Sequence, residues 1–159
     1  MVEFSFRNLN LIAHIDGGAR GNPGPAAIGI VVTDDAGNVL FEDGRLIGNA
    51  TNNEAEYSAL IRLLEIAASD PVLLSSGASQ LRIHSDSKLL VEQVTGRWKI
   101  KEPRLQELYN EVQAVKSRTP FALRIRHVPR EDNQRADQLL NQALDRAVST
   151  PPASDYASF

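Results

Sequence analysis

The sequence predicts an α/β domain on a five-stranded mixed sheet, three antiparallel strands followed by two parallel ones, flanked by helices. Three observations carry this reading. Residues 9–48 hold three strand-like runs, Leu9–Asp16, Ala27–Thr33 and Val39–Gly48, joined by turn-forming residues in the manner of an antiparallel meander. Beyond residue 50, helical periodicity alternates with the short strands Gln80–Ser85 and Phe121–Val128. A chain of 159 residues, 42% hydrophobic and 23% charged, suits one folded domain with a real core. The domain is expected over 1–148, with 149–159 (STPPASDYASF) as a disordered tail.

Composition narrows the function classes. There is no cysteine, which excludes disulfides and thiolate metal sites, so any metal must be held by oxygen or histidine. The opening MVEFSFRNLN lacks the basic and apolar regions of a secretory signal. No apolar run approaches the ~20 residues of a membrane span, and a cytosolic protein is the expectation. The net charge of −3 gives no global basic field, so nucleic-acid binding would depend on local patches.

Taken in order, residues 1–8 read as a loose lead-in. Leu9–Asp16 is apolar enough to be buried on both faces, which makes it a central strand. It ends in Asp16, followed at once by a glycine-proline loop, IDGGARGNPGP over 15–25. Such a loop is costly in backbone entropy and is either a tight turn or a place where something bulky approaches bare backbone. His14 reads as a packed strand residue. Ala27–Thr33 is a second strand, and Asp34–Asn38 a turn of ordinary composition. Val39–Gly48 is more polar and belongs near an edge.

Thr51-Asn52-Asn53 offers capping side chains for a helix that runs to about Ser69, before Pro71. Glu54 falls on the stripe of Ser58, Arg62 and Glu65, a wet face. Glu56 falls with Leu60, Leu63 and Ala67, the packed face, where a carboxylate is costly unless something charged meets it. Pro71–Ser79 reads as a loop. Gln80–Ser85 is a short strand, and Asp86-Ser87 opens a helix to about Thr95, where either residue could be a plain N-cap. Gly96 breaks that helix. Arg97, Trp98, Lys99, Lys101 and Arg104 form the one concentrated basic-aromatic patch, suited to a phosphate backbone or to packing of the loop through Trp98. Arg104–Arg118 is a helix with Leu105, Leu108, Val112 and Val115 as its apolar stripe. Phe121–Val128 is a strand with arginines on one face near its end, closed by Pro129. The last helix runs from Glu131 to about Val148, with Asp137, Leu140, Leu144 and Val148 on its packed stripe.

Four acids therefore stand where structure alone would not ask for them. Asp16 and Asp86 end strands, and Glu56 and Asp137 lie on buried helix faces. Together, without cysteine, they point to one oxygen-lined metal site. Clustered carboxylates repel, and without cation one or more would hold a proton. Two divalent ions ~4 Å apart can clamp the attacking water and the leaving oxygen of a phosphodiester.

Four segments, IDGGARGNPGP, TNNEAEY, IHSDS and HVPREDNQRAD, resemble the type 1 ribonuclease H family, over about residues 9–148. The resemblance implies a ribonuclease H-like fold and cleavage of the RNA strand of RNA/DNA hybrids with two magnesium or manganese ions, leaving 5′-phosphate and 3′-hydroxyl ends. By motif, the family's four catalytic, metal-holding acids fall on Asp16, Glu56, Asp86 and Asp137. A histidine that assists proton transfer or product release falls on His127, read as lying on a loop flank. Gly17, in the glycine loop whose bare backbone can approach a nucleic-acid groove, is read as a nucleic-acid contact, and Asn22 and Asn53 match positions that read the minor groove, where 2′-hydroxyls distinguish RNA. Thr51 and Asn52 match the region of a DNA-phosphate contact. Glu54 departs from the family pattern, since some relatives carry arginine there. The chain also lacks room for the basic helical protrusion of better-known bacterial members. Trp98, Lys99 and Lys101 would be its reduced substitute, with weaker and salt-sensitive binding. Two alternatives are a broader nuclease of the same fold that also cuts double-stranded RNA, and a non-catalytic hybrid-binding module. Nothing in the sequence demands more than a monomer.

Overall fold

Alternation of apolar and polar residues builds the strands, and glycines let helices lie close against them. The computed structural model describes residues 9–149. Strand β1 (Asn10–Ala19) pairs antiparallel with β2 (Gly24–Thr33), which pairs antiparallel with β3 (Val39–Ala50). Strand β4 (Gln80–Ser85) runs parallel to β1, and β5 (Ala122–His127) parallel to β4. The order β3-β2-β1-β4-β5 puts the apolar β1 in the centre and the more polar β3 at an edge, as expected from their composition.

One sheet face is covered by α1 (Asn52–Ser69), which packs in turn on α4 (Pro103–Lys116). The main core lies here, among Leu11, Ala13 and Ile15 of β1, Leu60, Leu63 and Leu64 of α1, and the stripe Leu105, Leu108, Val112 and Val115 of α4. The other face is covered over β2, β3 and part of β1 by α5 (Gln134–Ser149). Strand parity assigns Ile12, His14 and Asp16 to this second face. A short helix α3 (Lys88–Val94) follows β4, capped by Ser87, whose Oγ accepts from Leu90 N.

Several boundaries differ from the sequence reading. β1 continues three residues beyond Asp16, because Gly17, Gly18 and Ala19 pair with Ile28, Ala27 and Ala26. β2 in turn begins at Gly24, so only residues 20–23 of the glycine stretch lie outside the ladder. Residues 71–79 are not all loop: Asp70 Oδ1 accepts from Val72 N and Leu73 N and caps a single-turn helix α2 (Pro71–Leu74). β5 ends one residue earlier than read, at His127, which pairs with Ser85 and stands on the flank of the following turn as expected. The last helix does not begin at Glu131. A 3₁₀ turn (Arg130–Asp132) comes first, and α5 starts at Gln134. Its packed face is Ala136, Leu139, Leu140, Ala143 and Leu144, while Val148 is 80% exposed. Helix rotation explains this, since eight residues beyond Leu140 the stripe has drifted past the edge of the sheet. Ser149 belongs to α5, so the expected tail cannot start there. The rest of that expectation, and the lead-in at 1–8, lie outside the described residues.

Candidate active site

Asp16, on β1, and Asp86, just past the end of β4, come together because β1 and β4 are parallel neighbours. Glu56 reaches the same point from α1. Its approach depends on Gly17, where a Cβ would collide with the backbone of Ala55 and Glu56. The Gly17 amide donates to Asp16 Oδ1 at 3.0 Å and to Glu56 Oε1 at 3.2 Å, so one N–H serves two carboxylates. Carboxylate oxygens of Asp16, Glu56 and Asp86 all lie within 4.8 Å of one another. Asp137, on the first turn of α5, lines the same cleft of about 420 Å³ with these three, Gly17, Asn52 and Arg130. Asn141, one turn on, donates from Nδ2 to Asp137 Oδ1 at 3.2 Å and to its carbonyl at 3.0 Å, which fixes the carboxylate.

Burial and mutual repulsion set the electrostatics. Asp16 is 6% and Glu56 8% exposed. Burial, then the negative charge of Asp86, pushes Asp16 up to about 8. Glu56 is held well above the ordinary carboxylate range by burial first, then by Asp16 and Asp86. At neutral pH the cluster therefore keeps a proton that isolated carboxylates would release. Glu56 Oε2 is buried with no hydrogen-bond partner. An all-oxygen donor set with surplus negative charge and an unsatisfied inward oxygen fits a hard divalent cation.

The neighbouring residues fall into two groups. Asn22 and Asn52 tie the glycine loop to α1, since Asn22 Oδ1 accepts from Asn52 N and Asn52 Oδ1 from Ala19 N, both at 2.9 Å. Their exposed Nδ2 groups remain as donors. Asn53 lines an adjoining cleft with Glu56, Asp86 and Arg130. Thr51 is occupied as the N-cap of α1, Oγ1 accepting from Glu54 N at 3.1 Å while Glu54 Oε1 accepts from Thr51 N at 3.0 Å. Glu54 is thus half of a capping box and also pairs with Arg104 at 3.1 Å, rather than a free wet-face acid. His127 is exposed, its Nε2 3.2 Å from the Asp86 carbonyl. Trp98 does not pack the loop into the core. It is 44% exposed with the Lys88 ammonium 5.9 Å from its ring centroid, and Lys99 and Lys101 are exposed beside it.

Sequence reasoning missed three residues. Arg130 brings a cation to the rim of the acid cleft. Asn133 is buried, its Nδ2 donating to the Ile15 carbonyl at 2.8 Å, and so pins the start of α5 beside Asp16. Asn141 orients Asp137 as described. Its one advance signal was its position four residues on, where helical side chains meet. Arg130 and Asn133 lie in a turn whose path no periodicity reveals.

Comparison with known proteins agrees with this geometry. The family model described as "Reverse transcriptase-like" matches residues 14–143. The bifunctional protein Rv2228c of Mycobacterium tuberculosis is 45% identical over 146 residues, covering 91% of this chain but only 38% of that protein. Ribonuclease HI of Halobacterium salinarum is 45% identical over 136 residues, 85% of this chain and 64% of that protein. This chain thus spans well under two thirds of the length of the mycobacterial relative. The crystal structure of LC11-RNase H1 in complex with an RNA/DNA hybrid superposes with a TM-score of 0.79 at 45% identity, covering 87% of this chain and 99% of that one. RNase H1 of Halobacterium salinarum superposes at 0.77 with 41% identity, covering 86% and 98%. With its sheet order, its acid cluster and relatives matched over nearly their whole solved domains, the chain belongs to the type 1 ribonuclease H family.

Proposed function

We propose that this chain hydrolyses the RNA strand of RNA/DNA hybrids at the cleft of Asp16, Glu56, Asp86 and Asp137, with two divalent ions, Mg²⁺ or Mn²⁺. The observation that carries the reading is the convergence of Asp16, Glu56 and Asp86 from three separate elements to within 4.8 Å, with a buried, unpaired Glu56 oxygen among them. A binding module would gain nothing from carboxylates that repel phosphate.

Asp16, Glu56, Asp86 and Asp137 would together hold the ions. Bound there, the ions would supply Lewis acidity, a nucleophilic water at neutral pH and neutralisation of charge on the phosphate. The protein's own part is placement. Gly17 N–H holds two carboxylates in register, and Asn141 holds Asp137 on α5. The Asp86 carbonyl can only accept, so His127 carries its hydrogen on Nε2 and leaves Nδ1 free to take or give a proton at the rim. Attack of water on phosphorus with departure of the 3′ oxygen leaves a 5′-phosphate and a 3′-hydroxyl. Asn22, Asn52 and Asn53 offer amide donors beside the cleft for the 2′-hydroxyls and base edges of a minor groove. Thr51, through the box it closes, fixes the backbone of that corner. Trp98, Lys99 and Lys101 offer charge and a ring to the flanking strand.

The test is incubation of labelled RNA/DNA hybrid, double-stranded RNA and double-stranded DNA with Mg²⁺ or Mn²⁺. Cutting of the RNA strand of the hybrid is expected, and Asp137→Asn is expected to lower the rate at least a hundredfold while the fold persists. Equal cutting of double-stranded RNA would replace the hybrid-specific reading with the broader one. A hybrid left whole with either metal would leave only binding.

A further inference from the structure

The second sheet face carries an unexplained feature. Helix α5 lies over β2, β3 and part of β1, and leaves β4 and β5 uncovered. Register places three cross-strand rows on this face: Ile12, Arg82 and Arg124; then His14, His84 and Arg126; then Asp16, with Asp86 just beyond the end of β4. Arg82, Arg124 and Arg126 are exposed and line an open groove of about 390 Å³ with Ile12 and His84.

Five arginines elsewhere are neutralised by acids. Arg20, Arg45, Arg97, Arg104 and Arg135 each pair with a carboxylate. Among the described residues Arg82, Arg124 and Arg126 close no ion pair, and Arg82 donates only to the neutral Gln80 Oε1 at 3.2 Å. Asp132 is the acid that borders the group, felt at His14 and His84. Three cations without a carboxylate partner in a chain of net charge −3 repel one another and persist at a cost.

We propose that this face binds a single strand of nucleic acid by its phosphates. The inference rests on the hybrid-nuclease reading, which brings a polyanion to this molecule. Guanidinium forks suit phosphate oxygens. Side chains two apart on a strand lie about 6.6–6.8 Å from each other, near the separation of successive phosphates in a stretched strand. The rows lead along the same sheet face toward the acid cluster, so an unpaired extension of a substrate could follow them. An acidic protein segment fits less well. Tight protein partners need a central apolar anchor pocket, and this open groove sets Ile12, Ile83 and Ile125 among three guanidinium groups instead.

The experiment compares the wild type with a triple variant, Arg82→Gln, Arg124→Gln and Arg126→Gln. Fluorescence anisotropy of a short labelled oligodeoxythymidylate, without divalent metal, reads binding apart from turnover. Cleavage of a blunt hybrid reads the fold and the active site. The variant is expected to bind the oligonucleotide about tenfold more weakly, with the slope of log affinity against log salt reduced by about 2. Its cleavage of blunt hybrid is expected to stay within about twofold of wild type. Oligonucleotide affinity and slope equal to wild type would overturn the proposal, as would displacement of the oligonucleotide by polyglutamate at equal charge concentration. If the wild type binds the oligonucleotide through these arginines but cuts no hybrid, the nuclease reading fails and the binding face stands.

Discussion

Asp16 keeps a proton that its burial and its neighbours force on it. Raised from its usual range to about 8, it favours the folded state fully below its unfolded pKa and loses that contribution as pH rises through 8. In metal-free buffer, Asp16→Asn is therefore expected to raise the melting temperature at pH 8 and to change it little at pH 4. Divalent metal must displace the same proton. Calorimetric titration with Mg²⁺ at pH 7 in buffers of different ionisation enthalpy is expected to show proton release, fading toward pH 9 as the cluster ionises unaided. His84 acts in the opposite sense. Burial, then the charge of His14, lowers it to about 4. Its contribution is present above about pH 6.5 and is lost as pH falls toward 4. Melting curves of His84→Asn are expected to lose stability less steeply than wild type between pH 6.5 and 4; an unchanged slope would show that the ring is not held neutral. The sequence separated Glu56 from Glu54 by helical face alone, because only a buried position makes a carboxylate anomalous. It could not show that Glu54 also meets Arg104, since a partner fifty residues away leaves no periodic trace, whereas the box with Thr51 follows from their three-residue spacing.

Helices reach the sheet through missing side chains. At Gly29 a Cβ would meet the Ala136 backbone, and at Gly44 that of Leu139, so α5 rests on bare strand. Gly29 pairs with Asp16, and α5 carries Asp137, so this contact sets the distance between two acids of the cleft. Gly29→Ala is expected to cost about 1–3 kcal/mol in denaturant unfolding and to lower hybrid cleavage more than a surface change of equal stability cost. On the other face, Tyr57 Oη donates to Gln93 Oε1 at 2.7 Å, both residues buried, and joins α1 to α3. Tyr57→Phe leaves the Gln93 carbonyl unpaired and is expected to cost about 1–3 kcal/mol by the same measurement. The type and order of the five strands and the longer helices were legible, because apolar periodicity encodes which face is buried; the single turns at Pro71–Leu74 and Arg130–Asp132 are too short to show it. Ends were less so. The glycines after Asp16 pair by backbone alone, and no side-chain pattern marks glycine as strand. The turn at Arg130–Asp132 follows Asn133's bond to the Ile15 carbonyl, a long-range contact.

As a whole, the molecule assembles its cleft from four elements whose order in the chain is β1, α1, β4 and α5. Parallel pairing of β1 with β4 brings Asp16 and Asp86 to one sheet end, and the two helices close on it from opposite faces. The four acids could be read in advance because each broke a local rule in the same direction. The arginine rows on β4 and β5 could not be read as one surface, because they depend on register between strands far apart in sequence. Charge is arranged in patches on an acidic background, and affinity for hybrid is expected to fall steeply with added salt. A Kd insensitive to salt would exclude the Trp98-Lys99-Lys101 segment and the open sheet face alike as phosphate contacts. The central claim is that Asp16 and its three companions form a divalent-metal centre that cuts RNA paired to DNA. The most direct measurement is the cleavage rate of end-labelled RNA in a hybrid with Mg²⁺ or Mn²⁺, wild type beside Asp16→Asn. Metal-dependent cutting with 5′-phosphate products by the wild type, and none by the folded variant, is the expected result; wild-type rates in Asp16→Asn, or cutting unaffected by chelator, would contradict it.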